Sequence, residues 1–309
     1  MEIVYASDAA FRANEYVATV GFFDGVHAGH RFLMEELKNI AAEQGRKSLV
    51  FTFSEHPRKV LHSDFQPALI TTLKEKLFQL STTGVDACVV LDFTEEMSKL
   101  SAYQFLHTVL FSQYRVRTLL VGHDHRFGHN RAEGFADYKK YGQEMGLEVV
   151  QAQRYSTAEF SHISSSEIRL ALLQGDVLKA NKLLTYTYSF EGEVIGGFKV
   201  GRKIGFPTAN LKPFNTEKLI PGTGVYAVTI KWKADQLKGM MNIGLRPTLD
   251  NGKHVSFEIN IFDFDKDIYN ERLEVSFIQK IRDEQKFDGI DALIEQLKRD
   301  KQTVLEVLG

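Results

Sequence analysis

The repeating pattern of the chain changes near residue 185, and this change limits its fold more than any other feature. Before it, short apolar runs such as YVATVGFF (16–23) alternate with segments such as GHRFLMEELKNIAAEQG (29–45), in which apolar residues recur every three or four positions. Strands that alternate with amphipathic helices indicate a parallel sheet covered on both faces. The further predicted strands are 48–53, 87–93, 117–122 and 147–152, and the further predicted helices are 73–82, 102–114, 135–146, 165–174 and 177–184.

After the change, runs of strand length follow one another without helices between them. Turn signals such as Pro221-Gly222 separate the runs, and four of the six prolines fall between residues 207 and 247. This pattern predicts an antiparallel barrel or sandwich, with one amphipathic helix over 287–308 at its end. We therefore predict an α/β domain over residues 1–185 and an all-β domain over residues 186–309. The predicted strands of the second domain are 188–197, 224–232, 237–244, 255–262 and 272–278.

Composition excludes several classes of protein. The single cysteine, Cys88, cannot form an intrachain disulfide or a four-cysteine zinc module. With 38 basic and 40 acidic residues the formal net charge is −2, which argues against a protein that coats nucleic acid. No run approaches the ~20 apolar residues that span a bilayer, and the first residues lack the pattern of a signal peptide. We expect a cytoplasmic protein without a nucleic-acid or membrane partner; its oligomeric state stays open.

The segment GFFDGVHAGH (21–30) lies between the first predicted strand and the first predicted helix. An open parallel sheet places its ligand crevice at this point. The glycines let the backbone approach a ligand, and the N-terminus of the following helix favours an anion. His27 and His30 add two side-chain donors. The segment therefore predicts a phosphate site, and the alternatives are surface histidines on a glycine-rich turn or a pair of metal ligands.

This segment resembles the His-Xaa-Gly-His signature of α/β nucleotidylyltransferases, and as a whole it is similar to the opening of one family, the bacterial bifunctional riboflavin kinase/FAD synthetases. The resemblance implies a Rossmann-like nucleotidylyltransferase domain. It also implies that His27 and His30 contact the triphosphate of ATP and stabilise charge that develops at the α-phosphate. The neighbouring residues that would bind the nucleotide are Gly21, Phe22, Asp24, Gly25 and Gly29.

A second stretch, HISSSEIRLALLQGD (162–176), resembles the ISST-x-x-R segment of the same family. Serines at the start of a helix also act as N-caps, so a plain helix cap is the alternative. The resemblance implies that the triphosphate is bound by Ser164, Ser165, Ser166 and Arg169.

Two further segments resemble the family, with departures. VGHDHRFGHNRAEG (121–134) is similar to its VG-x-D-F-x-FG segment, and TFSEHPRKV (52–60) is similar to its TFEPHP segment. The resemblance implies that Asp124 and His56 lie at the flavin-nucleotide site.

The departures concern four residues. The chain has His123 and His125 where the family usually has Asp and Phe, and it has Ser54 and Glu55 where the family usually has Glu and Pro. Together with His129, the two histidines could alternatively form a metal cluster.

In the second half, GGFKVGRKIGFPTANL (196–211) carries the strongest motif. Lys199, Arg202 and Lys203 on a glycine-rich stretch could cover phosphates. A hydroxyl and an amide oxygen two residues apart, at Thr208 and Asn210, could coordinate a hard cation such as Mg²⁺. A hairpin with a proline-initiated turn is the alternative.

GRKIGFPTANL resembles the riboflavin kinase signature of the same family, and the resemblance continues through PGTGVY (221–226), NIGLRPT (242–248) and the stretch 257–287. It implies that Thr208 and Asn210 hold the Mg²⁺ of ATP. It also implies that Glu258 takes a proton from the ribityl 5′-hydroxyl; alternatively, Glu258 is simply an exposed strand residue. The further residues implied in nucleotide or flavin binding are Gly201, Arg202, Lys203, Gly205, Tyr226, Asn242 and Arg282, and Asn260 replaces a histidine common in the family.

The resemblance implies two reactions. The C-terminal domain would transfer the γ-phosphate of ATP to riboflavin, giving FMN. The N-terminal domain would transfer AMP from a second ATP to FMN, giving FAD and pyrophosphate. Two alternatives stay open, an enzyme that retains only riboflavin kinase activity and a non-catalytic regulator that binds flavin or nucleotide.

Overall fold

A computed structural model describes the chain in two compact units, Met1–Ser165 and Ser166–Gly309. The domain boundary near residue 185, where the sequence pattern changes, remains a prediction. Three predicted site residues, Asp124, Arg202 and Lys203, lie outside the described residues, as does Lys199. The described residues are 1–5, 14–56, 59, 68–123, 125–129, 132–156, 159–160, 163–196, 201, 204–247 and 253–309, with only the backbone described at 246–247 and 253–254.

The first unit contains a six-stranded parallel sheet in the order β1-β4-β3-β2-β5-β6. Every residue of β2 and of β4 is buried, which is why these strands are continuous apolar runs in the sequence. The predicted α/β fold is thereby confirmed. The strands are β1 Glu2–Tyr5, β2 Tyr16–Val20, β3 Lys47–Phe53, β4 Ala87–Leu91, β5 Val116–Val121 and β6 Glu148–Gln151.

Helices supply separate apolar cores for the two faces of this sheet. Ala18 and Val20 of β2 belong to one core, whereas Val17 belongs to the other, together with Met34 and Leu37 of α1. The helices of this unit are α1 Ala28–Glu43, α2 Leu73–Ser81, α3 Glu95–Ser98, α4 Ala102–Gln104, which continues as a π-helical segment Phe105–Gln113, and α5 Phe135–Met145.

The strand order reverses at β2. The chain runs from β2 through β3 to β4 on one side, and then returns to place β5 and β6 on the other. In open α/β sheets the ligand crevice lies at the carboxyl ends of the strands where this reversal occurs. The loop that follows β2 is therefore the expected ligand-binding loop of this unit.

The second unit opens with two helices and continues into a closed barrel of six antiparallel strands in the order β10-β11-β8-β7-β12-β9. The predicted antiparallel barrel and terminal helix are confirmed. None of the described helices is both long and apolar enough to cross a membrane. The elements are α6 Ser165–Leu173, α7 Val177–Leu184, β7 Ser189–Ile195, β8 Ala209–Pro213, β9 Gly224–Trp232, β10 Asp235–Pro247, β11 Lys253–Ile261, β12 Arg272–Arg282 and α8 Ile290–Leu308.

The barrel strands have two differently packed faces. Aromatic rings meet on one face, where Phe190 lies 5.7 Å from Phe257 and 5.9 Å from Phe277 between ring centroids. On the other face, Val225 and Met240 pack with Val304 of α8. The terminal helix therefore covers part of the face that points away from the aromatic rings.

Candidate active sites

The loop that follows β2 is held in an unusual backbone conformation. Phe23, Gly25 and Val26 have φ angles of 54°, 81° and 39°. Two of these residues carry a Cβ, so the left-handed conformation is strained at those positions. The loop is anchored to β3, because the amide of Gly21 donates to Phe51 O at 3.0 Å and Thr52 Oγ1 donates to Phe22 O at 3.0 Å. Such strain, fixed by its surroundings, is common at ligand sites.

Asp24 acts as an internal brace of this loop. Its side chain is 3% exposed and accepts hydrogen bonds from the amides of Ile70 and Thr71 at 3.0 and 2.9 Å and from Thr71 Oγ1 at 3.0 Å. Thr71 Oγ1 also accepts from the amide of Gly25 at 2.9 Å. The side chain of Asp24, which the sequence predicts to bind nucleotide, thus connects the loop to residues 70–71. Thr71 is a second anchor that no sequence motif indicated.

His27 is the N-cap of α1. Its Nδ1 accepts from the amide of His30 at 3.3 Å, and its ring stacks on the ring of His30 at 3.6 Å between centroids. Because Nδ1 accepts, this hydrogen bond assigns the proton of a neutral ring to Nε2. His27 therefore carries an N–H donor on the ring edge away from the helix amide.

His30 lies in the first turn of α1, with its ring 5.2 Å from that of Phe23. Its Nδ1 is buried and has no hydrogen-bond partner among the described residues. Burial holds the pKa of His30 well below its usual range, and His27, His125 and Lys76 lower that pKa further. His30 is therefore neutral at neutral pH. A buried ring nitrogen without a partner is costly, which fits a group that meets a ligand.

One residue of the serine segment contacts this loop. Ser165 Oγ donates to Asp24 O at 3.0 Å, within the first unit. Ser164 is half-buried, and Ser166 and Arg169 belong to the second unit. The predicted role of this segment in triphosphate binding stays a prediction.

Two residues of the segments that carry the departures from the family pattern, His56 and His125, lie close to the same loop. His56 contacts the ring of Phe22 edge-on at 4.5 Å, and His125 is near enough to His30 to lower its pKa. Within the described part of the chain, no group of three or more His, Cys, Asp or Glu residues is placed to hold a metal ion. The alternative metal sites at His27/His30 and at 123–129 therefore gain no support.

The second site is a row of polar side chains across three strands of the barrel. Glu258 of β11 pairs directly with Asn210 of β8 and with Asn242 of β10. Residues directly opposite one another in a sheet project from the same face. Phe257 and Ile259 are buried and project from the other face. The predicted alternation at Glu258 is confirmed, and it places a carboxylate between two amide side chains.

The segment before Asn210 is fixed by hydrogen bonds to the carbonyl oxygens of Gly201 and Pro207. The amides of Ile204 and Phe206 donate to Gly201 O at 3.2 and 2.9 Å. A side chain at Gly201 would clash with the carbonyl oxygen of Phe206. Asn260 Nδ2 donates to Pro207 O at 2.7 Å, which fixes the residue just before Thr208.

The residues at this turn suit a hard cation. The hydroxyl of Thr208 and the side-chain oxygen of Asn210 flank Ala209, and the carboxylate of Glu258 lies on the strand beside them. Mg²⁺ takes oxygen ligands, which the hydroxyl of Thr208 and the amide of Asn210 offer, and the nearby carboxylate adds negative charge. The donor set therefore fits the metal that the sequence predicts, with Thr208 exposed and Asn210 half-buried.

Two predicted site residues have other contacts. Tyr226 is fully buried, its ring packs against Phe277 at 5.3 Å, and its hydroxyl donates to Gly222 O. Arg282 is in the same cross-strand row as Asn242 through Val225, but its guanidinium is paired with Asp300 of α8 at 2.8–3.0 Å. The structure does not bring the side chain of Tyr226 together with Glu258.

A strained, histidine-bearing loop on a parallel sheet and a polar row on a barrel define a class of protein, a two-domain transferase that handles nucleotides. Two family models match the chain. The model for FAD synthetase matches residues 10–167, and the model for riboflavin kinase matches residues 184–308. The chain belongs to the family of bifunctional riboflavin kinase/FMN adenylyltransferases.

Relatives of this name match nearly the whole chain. The protein from Listeria monocytogenes is 38% identical over 93% of this chain and 90% of its own length. Those from Escherichia coli and Bacillus subtilis are 36% and 37% identical, over 95% and 94% of this chain and 93% and 91% of their own lengths. A crystal structure from Streptococcus pneumoniae, described as a macrolide-efflux protein, superposes with a TM-score of 0.88 at 31% identity and covers 98% of this chain and 99% of that chain. The same two-unit fold is thus found in a solved structure.

Proposed function

We propose that the chain makes FAD from riboflavin in two ATP-dependent steps, one in each unit. The second unit phosphorylates riboflavin to FMN with release of ADP. The first unit transfers AMP from ATP to FMN, giving FAD and pyrophosphate. The observation that carries the proposal is the match of both family models, in the family's order, to units that each contain a candidate site. We further propose that the protein acts in the cytoplasm on these small-molecule substrates.

Adenylyl transfer is proposed to take place at the loop after β2. The phosphate of FMN attacks the α-phosphorus of ATP, and the bond to pyrophosphate breaks. His27 offers its Nε2–H, and neutral His30 offers a second N–H, to phosphate oxygens whose negative charge grows in the transition state. The N-terminus of α1 adds the positive end of its dipole. Ser164, Ser165, Ser166 and Arg169 are the predicted further phosphate ligands.

Phosphorylation of riboflavin is proposed to take place at the polar row of the barrel. Glu258 takes the proton of the ribityl 5′-hydroxyl as the oxygen attacks the γ-phosphorus. Asn242 and Asn210 flank that carboxylate and orient it. Thr208 and Asn210 would hold Mg²⁺, which neutralises charge on the phosphates when it is bound.

The two site assignments are tested in one chain. His30→Ala should lower FAD formation by about a hundredfold or more, while FMN still forms from riboflavin. Glu258→Ala should lower FMN formation by about a hundredfold or more, while FAD still forms from supplied FMN. Flavins separated by chromatography after incubation with ATP and Mg²⁺ give both results. If His30→Ala keeps normal adenylyl transfer, the first assignment is wrong, and if Glu258→Ala keeps normal phosphorylation, the second is wrong.

A further inference from the structure

Lys76 is a lysine buried in the first unit. It lies on α2 and is 2% exposed, although lysines are almost never fully buried unless they are paired. The start of its helix is fixed by a capping box, in which Thr72 Oγ1 accepts from the amide of Glu75 at 3.3 Å and Glu75 Oε2 accepts from the amide of Thr72 at 2.8 Å. Its position is therefore well determined by the fold.

The contacts of Lys76 place its ammonium at the ligand-binding edge of the sheet. Nζ donates to Phe53 O at 2.8 Å, at the carboxyl end of β3. It also lies 4.0 Å from the ring centroid of Phe22, in the loop after β2. Among the described residues no carboxylate forms an ion pair with Lys76. The ammonium thus contacts both the end of β3 and the loop after β2.

Among the described residues, the charged or titratable groups that interact with this ammonium are Asp24, Cys88 and His30. Burial lowers the pKa of Lys76 to about 8, against the opposing effects of Asp24 and Cys88. Burial raises the pKa of the Cys88 thiol to about 12, and the pKa of His30 lies well below its usual range. Lys76 is therefore the group of this cluster that loses charge just above neutral pH.

A buried charge acts over a longer range than an exposed one, because protein screens it less than water does. The carboxylate that acts on Lys76, Asp24, accepts hydrogen bonds from the amides of Ile70 and Thr71. Because Lys76 Nζ lies 4.0 Å from the ring centroid of Phe22, its positive field reaches the loop where the proposed adenylyl-transfer site binds phosphates. A structural role, in which Lys76 only ties α2 to β3, is the competing explanation.

We propose that Lys76 is a positioning residue of the adenylyl-transfer site: its buried ammonium holds Phe22 and the end of β3 in place and stabilises the negative charge of nucleotide phosphates bound at the loop after β2. This inference rests on the proposed placement of that site at His27 and His30. It adds to the site a residue that does not touch the reacting atoms.

The direct test replaces the ammonium with a side chain of similar length. Lys76→Met should raise the KM for ATP in FAD formation about tenfold near neutral pH, while riboflavin phosphorylation by the same sample stays unchanged. The matched control is Lys74→Met, which removes an exposed charge from the same helix and should leave both activities as in the parent protein. If the KM for ATP of Lys76→Met equals that of the parent protein, the proposal is overturned.

A pH profile separates the electrostatic role from a purely structural one. In the parent protein, kcat/KM for ATP in FAD formation should fall as pH rises through the pKa of Lys76, about 8, because the ammonium is charged below that value and neutral above it. Lys76→Met should lose this decline, whereas a variant that is merely destabilised keeps it. A flat parental profile between about pH 7 and about pH 9.5 overturns the proposal even if Lys76→Met does not fold.

His30→Ala distinguishes failure of this inference from failure of the proposed function. If His30→Ala abolishes FAD formation while Lys76→Met behaves like the parent, only the role of Lys76 is wrong. If His30→Ala keeps normal FAD formation, the placement of the site is wrong, and the inference about Lys76 is overturned with it.

Discussion

The histidine and asparagine side chains of the two sites show how single residues set local chemistry. His27 uses Nδ1 to cap α1, so its remaining proton is directed away from the helix, whereas the Nδ1 of His30 is buried without a partner among the described residues. In the barrel, Asn260 uses its amide to fix Pro207 O. In the first site one hydrogen bond therefore orients the ring of His27, and in the second site one hydrogen bond fixes the residue before Thr208.

The amide of Asn260 fixes the residue just before Thr208. Asn260→Ala removes the donor to Pro207 O and leaves Thr208 and Asn210 less well positioned. We expect the kcat/KM for ATP in riboflavin phosphorylation to fall about tenfold. Asn260→Asp, which is almost the same size but has no N–H donor, should fall at least as far.

A histidine at this position is common in the resembling family, and a neutral imidazole can also donate. Asn260→His should therefore regain most of the activity that Asn260→Ala loses. FAD formation from supplied FMN is the internal control and should stay unchanged in all three variants. Equal activity of Asn260→Asp and the parent protein contradicts the positioning role.

The terminal helix α8 is held to the barrel by an ion pair between its Asp300 and Arg282 of β12. Asp300 is 1% exposed and accepts from Nε and a terminal nitrogen of Arg282 and from Gln296 Nε2 at 2.8 Å. On the same helix, Val304 packs with Val225 and Met240. The helix is thus joined to β12 by a buried charge pair and to β9 and β10 by packing.

Removing one partner of a buried pair leaves the other charge uncompensated. Asp300→Asn should therefore lower the free energy of unfolding of the second unit by about 3 kcal/mol. The single tryptophan of the chain, Trp232, lies on β9, so its fluorescence during urea unfolding reports on this unit. Glu295→Gln, which breaks an exposed pair with Lys298 on the same helix, is the control and should scarcely shift the midpoint.

Most helices and most strands were predictable because their apolar periodicity is strong, but the four-residue helix α3 and two strands were not. β1 has four residues, too few for a period to be recognised, and it exists because it pairs with β4. β8 begins inside the segment GFPTANL, where the proline favoured the interpretation as a turn, and it is held by β7 and β11. In both cases long-range pairing decides the structure.

The site was predictable only in part for a related reason. His27, His30 and Glu258 lie in compact motifs, so a resemblance finds them. Lys76 and Thr71 are distant in sequence from the loop they support, and LKEKLFQLST reads as an ordinary amphipathic helix. The helical pattern does indicate that Lys76 shares a face with buried Leu77 and Leu80. A lysine on the apolar face of a helix was the available signal.

Each unit has its own core and its own candidate site, and each proposed reaction consumes its own ATP. A chain that has lost one reaction should therefore still carry out the other. His30→Ala and Glu258→Ala each fail to make FAD from riboflavin alone, but they fail at different steps.

An equimolar mixture of these two variants should consequently make FAD from riboflavin, because FMN released by the His30→Ala chain can bind to the Glu258→Ala chain. FAD should appear after a lag during which FMN accumulates, as followed by chromatography over time. Dilution should lengthen the lag, since FMN must pass through solution, whereas it should not change the order in which the products appear. A mixture that makes FMN but no FAD would show that FMN is passed on only within one chain, and the two units could then not be treated as independent catalysts.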